Sequence, residues 1–176
     1  MPSSPATMYF SLTCHAPLEV DGALVDYAPD RPPGALFRRN WDRGERFASP
    51  PPLPVVATIP PSQAGQLLEL HTATLPLMSK RLVQLLHQAG VDNLDCYPAE
   101  VRDEASGVTL DTHVAFNVIG TLAAAALADP TDQARAPLLV RLAGSPTTIL
   151  VHHTLKRAIE AAGITTLTFA AVEPNA

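Results

Sequence analysis

The sequence predicts an α+β domain, with a mixed, mostly antiparallel sheet, two main helices packed on one face and a proline-rich, irregular N-terminal third. Three observations predict it. Two stretches, 76–96 and 149–169, each read as strand, capped helix, glycine stop and strand. Further segments rich in β-formers stand apart from them: MYFSLTC, LPVVATI and LLVRLA. Finally, 12 of the 18 prolines fall in the first 61 residues. Proline fixes φ and has no amide hydrogen, so that third is expected to be loops, turns and edge strands. At 176 residues the chain reads as a single domain, with 1–52 the proline-rich segment and 53–173 the α+β core.

Taken in order, Met8–Cys14 is expected as a strand, and 18–27 as a second across an Asp21-Gly22 turn. The stretch Phe37–Phe47 holds four arginines, three aromatics and the only tryptophan, Trp41. Its rings are expected to anchor on the core while its arginines pair with acids such as Asp42 and Glu45. Leu53–Ile59 reads as a strand. Ser62 is a candidate helix cap, and Leu67–Thr74 fits a strand as well as a helix.

In the first unit, Leu77-Met78 is extended and Ser79 caps a helix over Lys80–Ala89. Its apolar positions Leu82, Leu85, Leu86 and Ala89 make one face. Gly90 supplies the left-handed stop, and Leu94–Val101 leaves as a strand. A turn at Ser106-Gly107 leads into Val108–Ile119, with a bulge expected near Ala115. Thr121 is the expected cap of a short helix, LAAAALA. Leu138–Ala143 follows as a strand with Arg141 facing outward. The second unit repeats the first at an offset of 73 residues, from Gly90 to Gly163, so that Leu82, Leu85, Leu86 and Leu94 fall on Leu155, Ala158, Ile159 and Leu167. Two copies do not make a solenoid.

Charge narrows the function. The net charge of −5 argues against a nucleic-acid binder, which needs a phosphate-neutralising surface. The two cysteines, Cys14 and Cys96, imply no disulfide framework. The N-terminus has no basic start or long apolar run, so a cytoplasmic protein with no membrane partner is expected. From Asp92 to Asp111 there are six acids (Asp92, Asp95, Glu100, Asp103, Glu104 and Asp111) against one base, Arg102, so this hairpin carries the charge of the whole chain. Such a patch fits either a solvated hairpin edge or a docking surface for a basic partner. His152-His153 lacks further ligands at metal spacing, and adjacent helical histidines point about 100° apart. Adjacent Ser79 and Lys80 cannot aim at each other, so Ser79 reads as a cap. Carboxylates beside Cys96 oppose its activation. No phosphate-binding, dinucleotide or nucleophile-elbow motif is present.

The string Pro76-Leu77-Met78-Ser79-Lys80-Arg81-Leu82, with Leu85-Leu86, Ala89-Gly90-Val91 and Tyr97-Pro98-Ala99-Glu100-Val101, resembles the central motif of a bacterial immunity-protein family first described from myxobacterial polymorphic toxin–immunity pairs. The strand Thr112–Ile119, ending Asn117-Val118-Ile119, and the second Val-His helix fit the same layout. The resemblance covers about residues 75–170, and His113 and Phe116 stand where the family has tyrosines. It implies a non-enzymatic protein without cofactor that neutralises a cognate toxin, with the six acids as the expected contact for a basic partner. Two rival readings stand beside it. One is a small-ligand or regulatory module with a pocket lined by Trp41 and the Arg38–Arg46 loop. The other is a metal-dependent enzyme using His113, His152 and His153.

Overall fold

The computed structural model describes residues 8–14, 26–28, 41–61, 66–72, 75–129, 131–132 and 136–172. Within them, Ser79 begins the best-formed unit. Its hydroxyl accepts from the amide of Leu82 at 3.1 Å and caps helix α1, Lys80–Gln88, after the short strand β5, Leu77–Ser79. Gly90, at φ 97°, turns the chain out of the helix. Strand β6, Leu94–Asp103, follows. Strand β8, His113–Val118, runs antiparallel to both β5 and β6 and lies between them. The unit is therefore a β-α-β crossover split by one antiparallel strand.

The second unit has the same construction. Strand β11, Ser145–His152, leads to helix α2, His153–Ala161. Gly163, at φ 71°, ends it, and β12, Leu167–Ala171, leaves. The strand inserted between β11 and β12 is β1, Tyr9–Cys14, from the other end of the chain. Helices and caps coincide at the offset of 73, and His152 takes the place of Ser79, accepting from the amide of Thr154. Burial coincides too. Leu82 and Leu155 are both fully buried, as are Leu86 and Ile159, and Val91 and Ile164.

Strand pairing carries the repeat further than the sequence does. Cys96 pairs with Phe116, and its counterpart Phe169 pairs with Leu12, so β8 corresponds to β1 at a constant shift of 104 residues, from Phe116 to Leu12. Leu70 of β4, Leu70–His71, pairs with Met78, as Leu139 of β10, Leu139–Leu142, pairs with Val151. Each unit is thus four strands and a helix.

The α+β class holds, and the strands divide between two sheets. One runs β12-β1-β11-β10-β9, where β9 is Thr121–Leu122. The other runs β2-β3-β6-β8-β5-β4, where β2 is Asp26–Tyr27 and β3 is Val55–Ile59. Strand β7, Val108–Leu110, pairs with the far half of β6. Only β3–β6 and β10–β9 are parallel among the described pairings. One cluster joins both sheets and both helices through Leu12, Met78, Leu82, Leu86, Phe116, Ile149, Leu155 and Ile159. Each sheet also buries its other face. Trp41, Val55, Leu77, Val101 and Ala115 form a second cluster, and Tyr9, Leu122, Leu127, Val140 and Leu150 a third.

Several expectations change. Pairing of β8 with β6 runs in unbroken register from Leu94–Val118 to Pro98–Val114, so there is no bulge at Ala115. The interruption lies at Asp111-Thr112 instead, between β7 and β8. Thr121 caps no helix. It belongs to β9, and the alanine run forms a 3-10 turn, Ala124–Ala128, whose N-cap is Ala123. Arg141 faces inward, because β10 has neighbours at both edges and cover on both faces. Its guanidinium donates to the carbonyl of Trp41 at 2.8 Å. The open stretch 67–74 resolves as the two-residue strand β4. The Asp21-Gly22 turn, Ser62, Phe37, Arg38 and Arg39 lie outside the described residues.

Equivalent burial implies equivalent cost. Leu82→Ala and Leu155→Ala are each expected to lower the free energy of unfolding by about 2–5 kcal/mol in urea titrations, and the half-buried Leu85→Ala by clearly less. A mild effect at Leu155 alone would show that the second helix is not part of the shared core.

Candidate functional site

Strand β6 is ten residues long, but only its first half, Leu94–Pro98, pairs with β8. The second half continues past β8, with β3 on one edge and β7 on the other, and buries Ala99 and Val101 in the second apolar cluster. This extension sets where the six acids lie. Asp95 and Asp103 are eight residues apart on an extended strand, about 26 Å, so the acids do not form one patch.

At the near end Asp92 is exposed, and Asp95 is bound by Arg46 at 3.0 Å. At the far end, Asp103 closes the hairpin. Its carboxylate accepts from the amides of Ala105 and Ser106 and from the Ser106 hydroxyl at 2.6 Å. The hydroxyl contact first, and the two amides with it, hold its pKa below the usual carboxylate range. Glu104 accepts from the Thr58 hydroxyl at 2.6 Å. Residues 104–109 are all exposed, and Val108 is one of two large apolar side chains open to solvent among the described residues. Glu100 is partly exposed on β6, and Asp111 stands free of the sheet beside Lys80 at 3.4 Å. Four acids, Glu100, Asp103, Glu104 and Asp111, therefore share the hairpin, and two do not.

Lys80 and Asp111 also lie between two open clefts. One, of about 530 Å³, is lined by Leu68, Glu69, Ser79, Arg81, Thr112 and His113. The other, of about 470 Å³, is lined by Pro54, Tyr97, Pro98, Glu100 and Val114. At the floor of the first, His113 is buried. Its Nε2 lies 2.8 Å from the Leu68 carbonyl and its Nδ1 2.9 Å from the Thr112 hydroxyl. A carbonyl only accepts, so Nε2 carries the proton and Nδ1 accepts from Thr112. The His71 ring stands 6.0 Å away, edge-on. Burial, with the neighbouring His113 adding to it, pushes His71 down to about 4. Burial likewise lowers His113. Nothing in the sequence marks Lys80 as the neighbour of Asp111 or His71 as that of His113, since both meetings depend on tertiary pairing.

The other candidates take structural places. Trp41 is buried, with its ring 4.9 Å from Phe47 and 5.6 Å from Tyr97. It packs in the second apolar cluster, while Arg38 and Arg39 of the same expected site lie outside the described residues. His152 and His153 have ring centroids 4.3 Å apart at a tilt of 46°, and both are partly buried. His113 belongs to the other sheet. Among the described residues, no group of three or more His, Cys, Asp or Glu is placed to hold a metal ion. Burial, followed by Asp95, pushes the Cys96 thiol up to about 11, which makes it a packing residue. No described helix is long and apolar enough to cross a membrane.

The chain matches no protein-family model and no curated protein.

The buried histidines set an acid limit. With His71 near 4 when folded and at about 6.5 when unfolded, the unfolded chain takes up a proton that the folded chain refuses. This contribution is complete above pH 6.5 and is lost as pH falls toward 4. Between pH 7.5 and 4.5 it removes on the order of 3 kcal/mol. Unfolding of His71→Leu is expected to depend less on pH across that range. An unchanged pH dependence would contradict the assignment.

Proposed function

We propose that the chain is a non-catalytic binding protein that neutralises a cognate bacterial toxin with a basic surface. The observation that carries this reading is the β6–β7 hairpin. Its base packs through Ala99 and Val101 into the second apolar cluster, and its tip is exposed from Glu104 to Thr109. It holds Glu100, Asp103, Glu104 and Asp111 around the open apolar side chain of Val108. An exposed apolar side chain on a hairpin with four acids against one base, Arg102, suits protein docking, where the apolar group supplies affinity and the acids supply steering and register. The resemblance of Pro76–Val101 to the immunity-protein motif points the same way. The contact narrows from the six acids to these four, because Asp92 and Asp95 lie at the opposite end of β6.

One observation favours a second reading, a small-ligand module: the paired clefts beside Lys80 and Asp111. A small ligand seated there raises the melting temperature as its concentration rises, with no protein partner present.

The decisive test is co-expression with the polypeptide encoded beside the gene. The wild-type chain is expected to restore growth and to bind that polypeptide in calorimetry. Glu100→Lys with Asp111→Lys is expected to weaken binding by at least about tenfold and to flatten its salt dependence. Asp103 is left intact because it closes the hairpin turn. Unchanged affinity in the double variant would remove the hairpin as the contact. Absence of both protection and binding would remove the toxin reading.

A further inference from the structure

The two units differ most at the outer edge of their last strands. Strand β12 ends the five-stranded sheet. Its inner edge pairs with β1 from Phe10–Ala171 to Cys14–Leu167, and among the described residues no strand pairs with its outer edge. A sheet edge offers unpaired amides and carbonyls in a row, and soluble proteins guard such edges by making them short or by placing charge or proline on them. The ends β2, β4 and β9 are two residues each. β12 is five residues long and itself carries neither charge nor proline, the nearest in sequence being Glu173-Pro174, outside the described residues. Residues 164–172, ITTLTFAAV, contain no charge, no proline and no glycine. Thr168, Ala170 and Ala171 are exposed.

The internal repeat supplies the comparison. The matching stretch of β6, Leu94–Pro98, carries Asp95 where β12 has Thr168, and the exposed Pro98 where β12 has Ala171. Arg46 lies on that first strand through its ion pair with Asp95. The same scaffold is thus guarded in one copy and bare in the other.

We propose that the outer edge of β12 pairs with β12 of a second copy of this chain, antiparallel about Phe169, joining two five-stranded sheets into one. In this register Phe169 faces its own copy, Thr168 faces Ala170 and Leu167 faces Ala171. No like charges meet, although each chain carries −5 overall. On the helix flank, the cation nearest Phe169 is already paired. Lys156 sits 5.5 Å over the Phe169 ring and is paired with Glu160 at 2.7 Å. A basic partner finds no complement on this edge, whereas a second uncharged strand does.

The interface is small, so association is expected at micromolar and higher concentrations. Sedimentation equilibrium from about 10 to 500 µM tests it. The weight-average mass of the wild-type chain is expected to climb from 18.7 kDa toward twice that value. Ala170→Lys, which sets a cation on the edge, is expected to stay at the monomer mass with an unchanged melting temperature. Gln84→Lys, exposed on α1, is expected to associate like wild type. A constant monomer mass for the wild type overturns the proposal, and this arm does not depend on any variant folding. Association of folded Ala170→Lys equal to wild type overturns it as well.

Discussion

Everything in this fold depends on one shared apolar core. Leu82 and Leu86 of α1 meet Leu155 and Ile159 of α2 in a single cluster with the inner faces of both sheets. Neither unit has enough residues to bury its helix and sheet alone, so each is the other's missing layer. Polar contacts follow the same seam. Arg81, on α1, donates to the carbonyl of Ala162 at the end of α2, and Glu69 accepts from Thr166. Asn93 donates to the carbonyls of Ile119 and Leu139, one from each half.

That core separates what is common to the units from what is particular. The buried positions match residue for residue, while the surface does not. In the first copy the last strand runs on past β8 and becomes a charged hairpin. In the second it stops after five residues and leaves an uncharged edge. The helix starts differ as well, with Ser79-Lys80 in one and His152-His153 in the other. Function is therefore sought where the copies diverge, because their agreement is already explained by packing.

Much of this was legible from residue order. The 3.6-residue spacing of Leu82, Leu85, Leu86 and Ala89 marked the first helix, Ser79 its start and Gly90 its stop. The same pattern placed the second helix. Pairing was not legible. Periodicity reports which side of a strand is buried and is silent about its neighbours. So β1 read as an isolated N-terminal strand, although it completes the second unit from the far end of the sequence. Strands of two residues, such as β4 and β9, have no period to detect. Arg141 read as outward-facing because a cation in LLVRLA suggests a solvent side, and the Trp41 carbonyl that receives it is 100 residues away. The acids were visible as charge, but the length of β6, Arg46 and Thr58 decide which of them stand together.

Urea unfolding of the wild-type chain, followed at once by the fluorescence of Trp41 and by far-ultraviolet circular dichroism, bears most directly on the shared core. Trp41 reports the sheet of the first unit, and the dichroism reports both units. Coincident transitions with one midpoint are the predicted result, because neither half keeps its core without the other. Two separated transitions, with one unit persisting after the other has melted, would contradict it.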